Sequence, residues 1–162
     1  MGMDIEEVYA AHARSLTLQL YAYIADMPAA QDIVQEAFCR ALPRWHRISR
    51  YDDPVAWLRR VAWNLATSRW RRLRTGSHVA QPYREESVPG PSTDRVALTT
   101  ALARLPETHR RAVVLHYLAG LTTREIAEQE GVAESTVRVW LHRGRNALAH
   151  LLAERGTEDA HA

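Results

Sequence analysis

Two small all-α domains joined by a flexible linker form the fold class that the sequence predicts, and three observations predict it. Apolar residues recur at helical spacing nearly throughout the chain, the period of one buried helix face. No stretch shows the strict alternation of a half-buried strand. The exception to the helical pattern is TGSHVAQPYREESVPGPSTD, residues 75–94, with Gly76, Pro82, Pro89, Gly90 and Pro91 and few large aliphatics. That composition reads as a partly extended connector. The chain therefore divides into a first domain over 1–74, a linker over 75–94, a second domain over 95–155 and a tail over 156–162.

In the first domain the spacing predicts helices near 4–25, 29–48 and 54–74. Asp53 followed by Pro54 is a clean helix start, with Asp53 as N-cap and Pro54 at the first helical position. Pro43 lies inside the second predicted helix and should kink it or end it early. In the second domain helices are predicted near 95–104, 106–119, 122–130 and 134–153. Gly120 closes one of them, and Thr122 with Glu125 three residues later makes a capping box for the next.

Composition narrows the function. The 162 residues are 46% hydrophobic and 25% charged, an ordinary globular balance. No apolar run approaches the ~18 residues of a membrane span, and MGMDIEEVYA is no signal peptide. A cytoplasmic protein without membrane insertion is expected. The single cysteine, Cys39, cannot form an internal disulfide, and no CxxC or HExxH spacing offers a metal site. The eight histidines are scattered, so neither a metal nor a cofactor is expected, and no catalytic constellation emerges.

The net charge of +2 hides an asymmetry. Residues 1–39 carry one arginine against six acids, whereas residues 40–74 carry ten arginines against Asp52 and Asp53. A block this basic marks a nucleic-acid or acidic partner. On the helix predicted over 54–74, Leu58, Val61, Ala62 and Leu65 share one sector and form the expected core face. Arg60, Asn64, Thr67, Arg71 and Arg74 share an opposite sector of about 80°, and Trp63 flanks it. Guanidinium and amide groups in such a row suit phosphates and base edges, and rings beside it suit stacking on unpaired bases. Trp57 and Trp70 sit nearer the border with the core, and Trp57 is expected to be mainly core.

LTTREIAEQEGVAESTVRVWLHRGRNAL, residues 121–148, has the arrangement of a helix-turn-helix. Ile126 and Ala127 lie on a short helix, Gly131 makes the turn, Val132 fills the angle, and Val137, Leu141, Gly144 and Leu148 line the second helix. Its opposite side carries Ser135, Arg138, His142 and Asn146, bordered by Val139. Residues near the start of a recognition helix reach base edges in the major groove. Ser135, Thr136, Arg138, Val139 and His142 are the base-reading candidates, with Arg143 and Arg145 further round for phosphate or stem packing.

With these motifs in place, the chain resembles the extracytoplasmic-function class of bacterial RNA polymerase sigma factors, within the sigma-70 family. The resemblance is carried by AAQDIVQEAFCRA at 29–41, DDPVAWLRRVAWNLATSRWRR at 52–72 and LARLPETHRRAVVLHYLAGLTTREIAEQEGVAESTVRVWLHRGRNAL at 102–148. The first two are similar to the family's region 2 and the third to region 4. It implies that Asp32, Gln35 and Glu36 dock on the clamp helices of the polymerase largest subunit. It implies that the segment from about Arg44 to Arg74 captures and melts the −10 promoter element. The DNA contacts would come from Arg60, Asn64, Thr67, Arg71 and Arg74, with Trp63 assisting. Residues 121–148 would read the −35 element as duplex and touch the flap of the second-largest subunit. The resemblance also implies a separate anti-sigma factor as inhibitor.

Five positions depart from the family pattern. Ala133 stands where a serine or threonine N-cap is common, Trp140 where a basic residue is frequent and Gly144 where alanine is frequent. Ser68 replaces a common aspartate, and Pro43 interrupts a usually continuous helix. The alternatives are a stand-alone operator-binding regulator with the same helix-turn-helix and a degenerate sigma-like domain that binds only proteins. A regulator would need a dimerisation or ligand domain in the N-terminal half. A protein-binding relic would not need Arg60, Asn64 and the rest of the basic face.

Overall fold

A computed structural model of the chain describes residues 2–74 and 93–161, all but two residues of the expected linker lying outside them. The chain falls into two units, divided between residues 84 and 85. The described residues are helical, with turns between the helices and no strand.

The first unit begins with α1, Ile5–Ile24. Asp4 caps it by accepting the Glu6 amide at 3.3 Å, and Glu6 and Glu7 follow in the first turn, where the helix dipole favours negative charge. α1 ends at Ala25, which takes a left-handed conformation at φ 57 and donates its N–H to the Tyr21 carbonyl at 2.8 Å. Asp26 then caps α2, Met27–Ala41, by accepting the Ala29 amide at 3.0 Å. The two helices are thus joined by a very tight turn.

α2 buries Ala29, Ala30, Ile33, Val34, Ala37, Phe38 and Ala41. Four alanines on that face let α1 and α4 pack closely against it. Where the sequence predicts one helix to residue 48, Pro43 produces a 3-10 turn over Leu42–Arg44, followed by the short α3, Trp45–Ile48. The Trp45 indole N–H donates to the Met3 carbonyl at 2.8 Å, tying the residues before α1 to α3. α4 runs over Pro54–Arg74 as expected, and Asp53 caps it by accepting the Ala56 amide at 2.9 Å.

The second unit contains α5, Thr93–Ala103, and α6, Glu107–Tyr117. It continues with α7, Thr123–Glu130, and α8, Glu134–Asp159. The expected capping box is present: Thr122 Oγ1 accepts the Glu125 amide at 3.1 Å, and Glu125 Oε1 accepts the Thr122 amide at 3.4 Å. Gly131 closes α7 at φ 67 and Gly120 sits at φ 73, the left-handed conformation that suits glycine. Ile126, Ala127, Val137, Leu141 and Gly144 are buried where α7, α6 and α8 meet. Arg111 Nη2 bridges α6 to α7 through Glu130 at 2.7 Å, both side chains being nearly buried. α8 extends six residues beyond the predicted end at 153, so most of the expected tail is helical.

Candidate nucleic-acid interface

The polar face of α4 is presented largely as the sequence predicts. Arg60, Asn64 and Arg71 are exposed, and among the described residues neither arginine forms an ion pair. Thr67 is half-buried, and its hydroxyl donates to the Trp63 carbonyl at 2.8 Å. The Arg74 side chain lies outside the described residues.

Trp63 corrects the expectation. It is 0% exposed, its ring centroid 5.0 Å from that of Tyr23, and its indole N–H donates to Gln19 Oε1 at 3.4 Å. A ring so enclosed offers no face on which a base could stack. The physical reason is that α4 is turned toward α1 and α2 by roughly 60° from the predicted core direction, at 100° per residue. Leu58, Ala62, Trp63 and Ala66 are buried, whereas Val61 and Leu65 are only half-buried. Trp57 and Trp70 are also half-buried, so Trp57 is less internal than expected.

A residue that the helix projection missed is Tyr51, 43% exposed just before α4. It lies in the turn with Arg50 and Asp52, both exposed. Its signal was an aromatic residue next to Arg50 in the short loop between α3 and α4, which a projection confined to helices could not include. Tyr51 presents to solvent the kind of ring that Trp63 does not.

The acidic candidates lie together on α2. Asp32, Gln35 and Glu36 are exposed, and Cys39 follows on the same face. Glu36 is bonded to Arg40 at 2.8 Å, a solvent-exposed pair worth little to stability.

In the second unit the outer side of α8 carries Ser135, Arg138, Val139, His142, Arg143 and Arg145, all exposed, with Thr136 half-buried. Val139, 44% exposed, gives this basic surface an apolar point of the kind that meets a thymine methyl. Three side chains are already engaged. Arg138 Nη2 donates to Glu134 Oε1 at 2.9 Å, Arg145 Nη1 donates to the Tyr117 hydroxyl at 3.1 Å, and His142 is bonded to Asn146 at 3.3 Å. Burial, and then the Arg143 charge, hold the His109 imidazole below its ordinary value of 6.5. Ala133 provides no side-chain cap to α8, as its methyl group requires.

Among the described residues no group of three or more His, Cys, Asp or Glu side chains could hold a metal ion. No helix of the described residues is long and apolar enough to cross a membrane.

A capped helical bundle with a basic helix face, together with a helix-turn-helix, defines a class of transcription protein, and comparison with known proteins agrees. Residues 8–75 match Sigma-70 region 2 and residues 95–148 match Sigma-70, region 4. The chain is 33% identical over 157 residues to the ECF RNA polymerase sigma factor SigL of Mycobacterium tuberculosis, covering 92% of this chain and 89% of that one. It is 31% identical over 163 residues to the RNA polymerase sigma-E factor of Streptomyces antibioticus, covering 99% and 89%. Its fold is similar to that of the sigma factor RpoE of Bartonella quintana, solved in complex with the anti-sigma factor NepR. That match has a TM-score of 0.74 and 20% identity, covering 91% of this chain and 96% of that one. The chain belongs to the extracytoplasmic-function family of RNA polymerase sigma factors. A stand-alone operator-binding regulator is not favoured, because the N-terminal half matches region 2.

Proposed function

We propose that the two units divide promoter recognition between them while α2 holds the chain on RNA polymerase core. The first domain, residues 1–74, docks on the clamp helices of the largest subunit through Asp32, Gln35 and Glu36. It contacts the −10 element through Arg60, Asn64, Thr67, Arg71 and Arg74. Tyr51, rather than Trp63, supplies a ring for an unpaired base, since stacking on an aromatic side chain is worth about 1–3 kcal/mol per base. The second domain, residues 95–155, reads the −35 element as duplex from the start of α8 and touches the flap of the second-largest subunit. An anti-sigma factor is the inhibitory partner, as RpoE has NepR in the solved complex. The chain acts by binding, in the cytoplasm with the polymerase, and catalyses no reaction itself.

The observation that carries this reading is the presentation of Ser135, Arg138, Val139 and His142 on one exposed side of a helix-turn-helix, in a chain whose other unit has its own exposed Arg60, Asn64 and Arg71. Guanidinium and amide groups read base edges, and arginine also holds phosphate.

The test is a titration of the full chain against bacterial core polymerase and duplex promoter libraries, separately and together. Tight binding to core, with sequence-selective DNA binding only in the ternary mixture, is the expected result. Selective binding to duplex alone, with none to core, would overturn it.

A further inference from the structure

Glu134 opens α8 directly after the uncapped Ala133, and one of its oxygens collects two bonds. Oε1 accepts from Thr123 Oγ1 at 2.8 Å and from Arg138 Nη2 at 2.9 Å. Thr123 begins α7 and Arg138 lies one turn into α8, so a single carboxylate joins both helices of the helix-turn-helix to a candidate base reader. The Arg138 side chain is 63% exposed and that of Glu134 38%. Neither Nε nor Nη1 of Arg138 makes a further bond among the described residues. The guanidinium is therefore held at one nitrogen and open along the rest of its fork.

We propose that Glu134 is a positioning residue that makes Arg138 a reader of guanine rather than a phosphate clamp. This rests on the assignment of α8 as the duplex-reading helix. A free arginine can swing among phosphates, which lie on every sequence, and then contributes affinity without selectivity. Held from behind, the guanidinium keeps its open edge outward, toward the paired acceptors O6 and N7 of guanine in the major groove. The bond orders part of the side chain in the free protein, so less freedom is lost on binding. The carboxylate also places a negative charge at the groove, which disfavours phosphate and penalises non-specific contact.

These two effects give Glu134→Gln a signature that structural damage does not produce. Glutamine keeps the shape and an acceptor for Thr123 but loses the ion pair and the charge. Selectivity for one G·C pair should fall at least about fivefold, the lower end of what a bidentate pair contributes. Non-specific duplex affinity should rise, with a steeper dependence on salt as Arg138 reaches phosphate. Damage to the fold would lower both quantities together. Thr123→Val provides the second variant: it removes the tie to α7 and leaves the ion pair, so it should lose selectivity less than Glu134→Gln and leave non-specific affinity unchanged.

The experiment uses the full chain bound to bacterial core polymerase, with a promoter library randomised across the upstream duplex element. Binding to a random duplex is measured alongside at several salt concentrations. Loss of preference at a single G·C position together with stronger random-duplex binding supports the proposal. An unchanged preference profile, or uniform loss at every position with weaker random binding, overturns it. A wild-type holoenzyme with no upstream preference would place the failure in the duplex-reading assignment itself, and the proposal would fall with it.

Discussion

At residue 144 a single methyl group governs how closely two helices approach. A Cβ on Gly144 would stand 2.7 Å from Val113 Cγ2 and 3.3 Å from the His109 carbonyl oxygen, both on α6. The departure from alanine at this position therefore has a physical reason: α6 packs on α8 at a distance that only glycine permits. Alanine would gain up to about 1 kcal/mol of helix propensity. Against this stands an overpacking cost of about 1–3 kcal/mol, since the neighbour is a short branched side chain within the core. Gly144→Ala is expected to destabilise the second unit by about 1 kcal/mol, read as a lower urea midpoint with unchanged slope. A higher midpoint would mean that the helices separate freely. Sequence alone showed that the residue was unusual, but its cause sits on another helix.

At the scale of the element, α4 shows what a periodic pattern conveys and what it omits. Its start at Asp53–Pro54, its length and its exposed row of Arg60, Asn64 and Arg71 were all legible, because caps and polar periodicity are local properties. The direction of its buried stripe was not. Leu65 and Trp63 are both apolar, and hydropathy cannot rank them. Trp63 is buried because Tyr23 and Gln19 on α1 meet its ring and its N–H, a match between residues forty or more positions apart. The same helix therefore has a buried face and an exposed basic face. Asn64→Ala should lower open-complex formation by about 1–3 kcal/mol and leave closed-complex binding unchanged. An equal loss in both steps would remove Asn64 from the melting set.

Across the whole molecule, charge and chain order were the readable features. Proline and glycine within 75–94 interrupt the helical pattern. Most of that stretch lies outside the described residues and α5 already begins at Thr93, while the two family regions match 8–75 and 95–148. The helix-turn-helix was legible for a similar reason, since the Thr122 box and the Gly131 turn are local signals. The bond between Glu134 and Thr123 was not, because it depends on how two helices cross. The acidic start and the basic stretch that follows are the charge pattern on which the proposed docking of α2 and DNA contacts of α4 rest. Asp32→Arg is expected to weaken association with core polymerase about tenfold, as charge reversal at an interface does, with helix content unchanged by circular dichroism. Unaltered core affinity would remove α2 from the docking surface.

The lone thiol turns this same surface into an instrument. Cys39 is exposed on α2, in the helical row that contains Asp32, Gln35 and Glu36. As the chain's single cysteine, it accepts a maleimide fluorophore at one position without prior mutagenesis. A dye placed there would be shielded from a dissolved quencher when core polymerase covers α2, and would stay accessible when DNA alone is added. The unmodified protein thus already carries a labelling site able to report which partner arrives first.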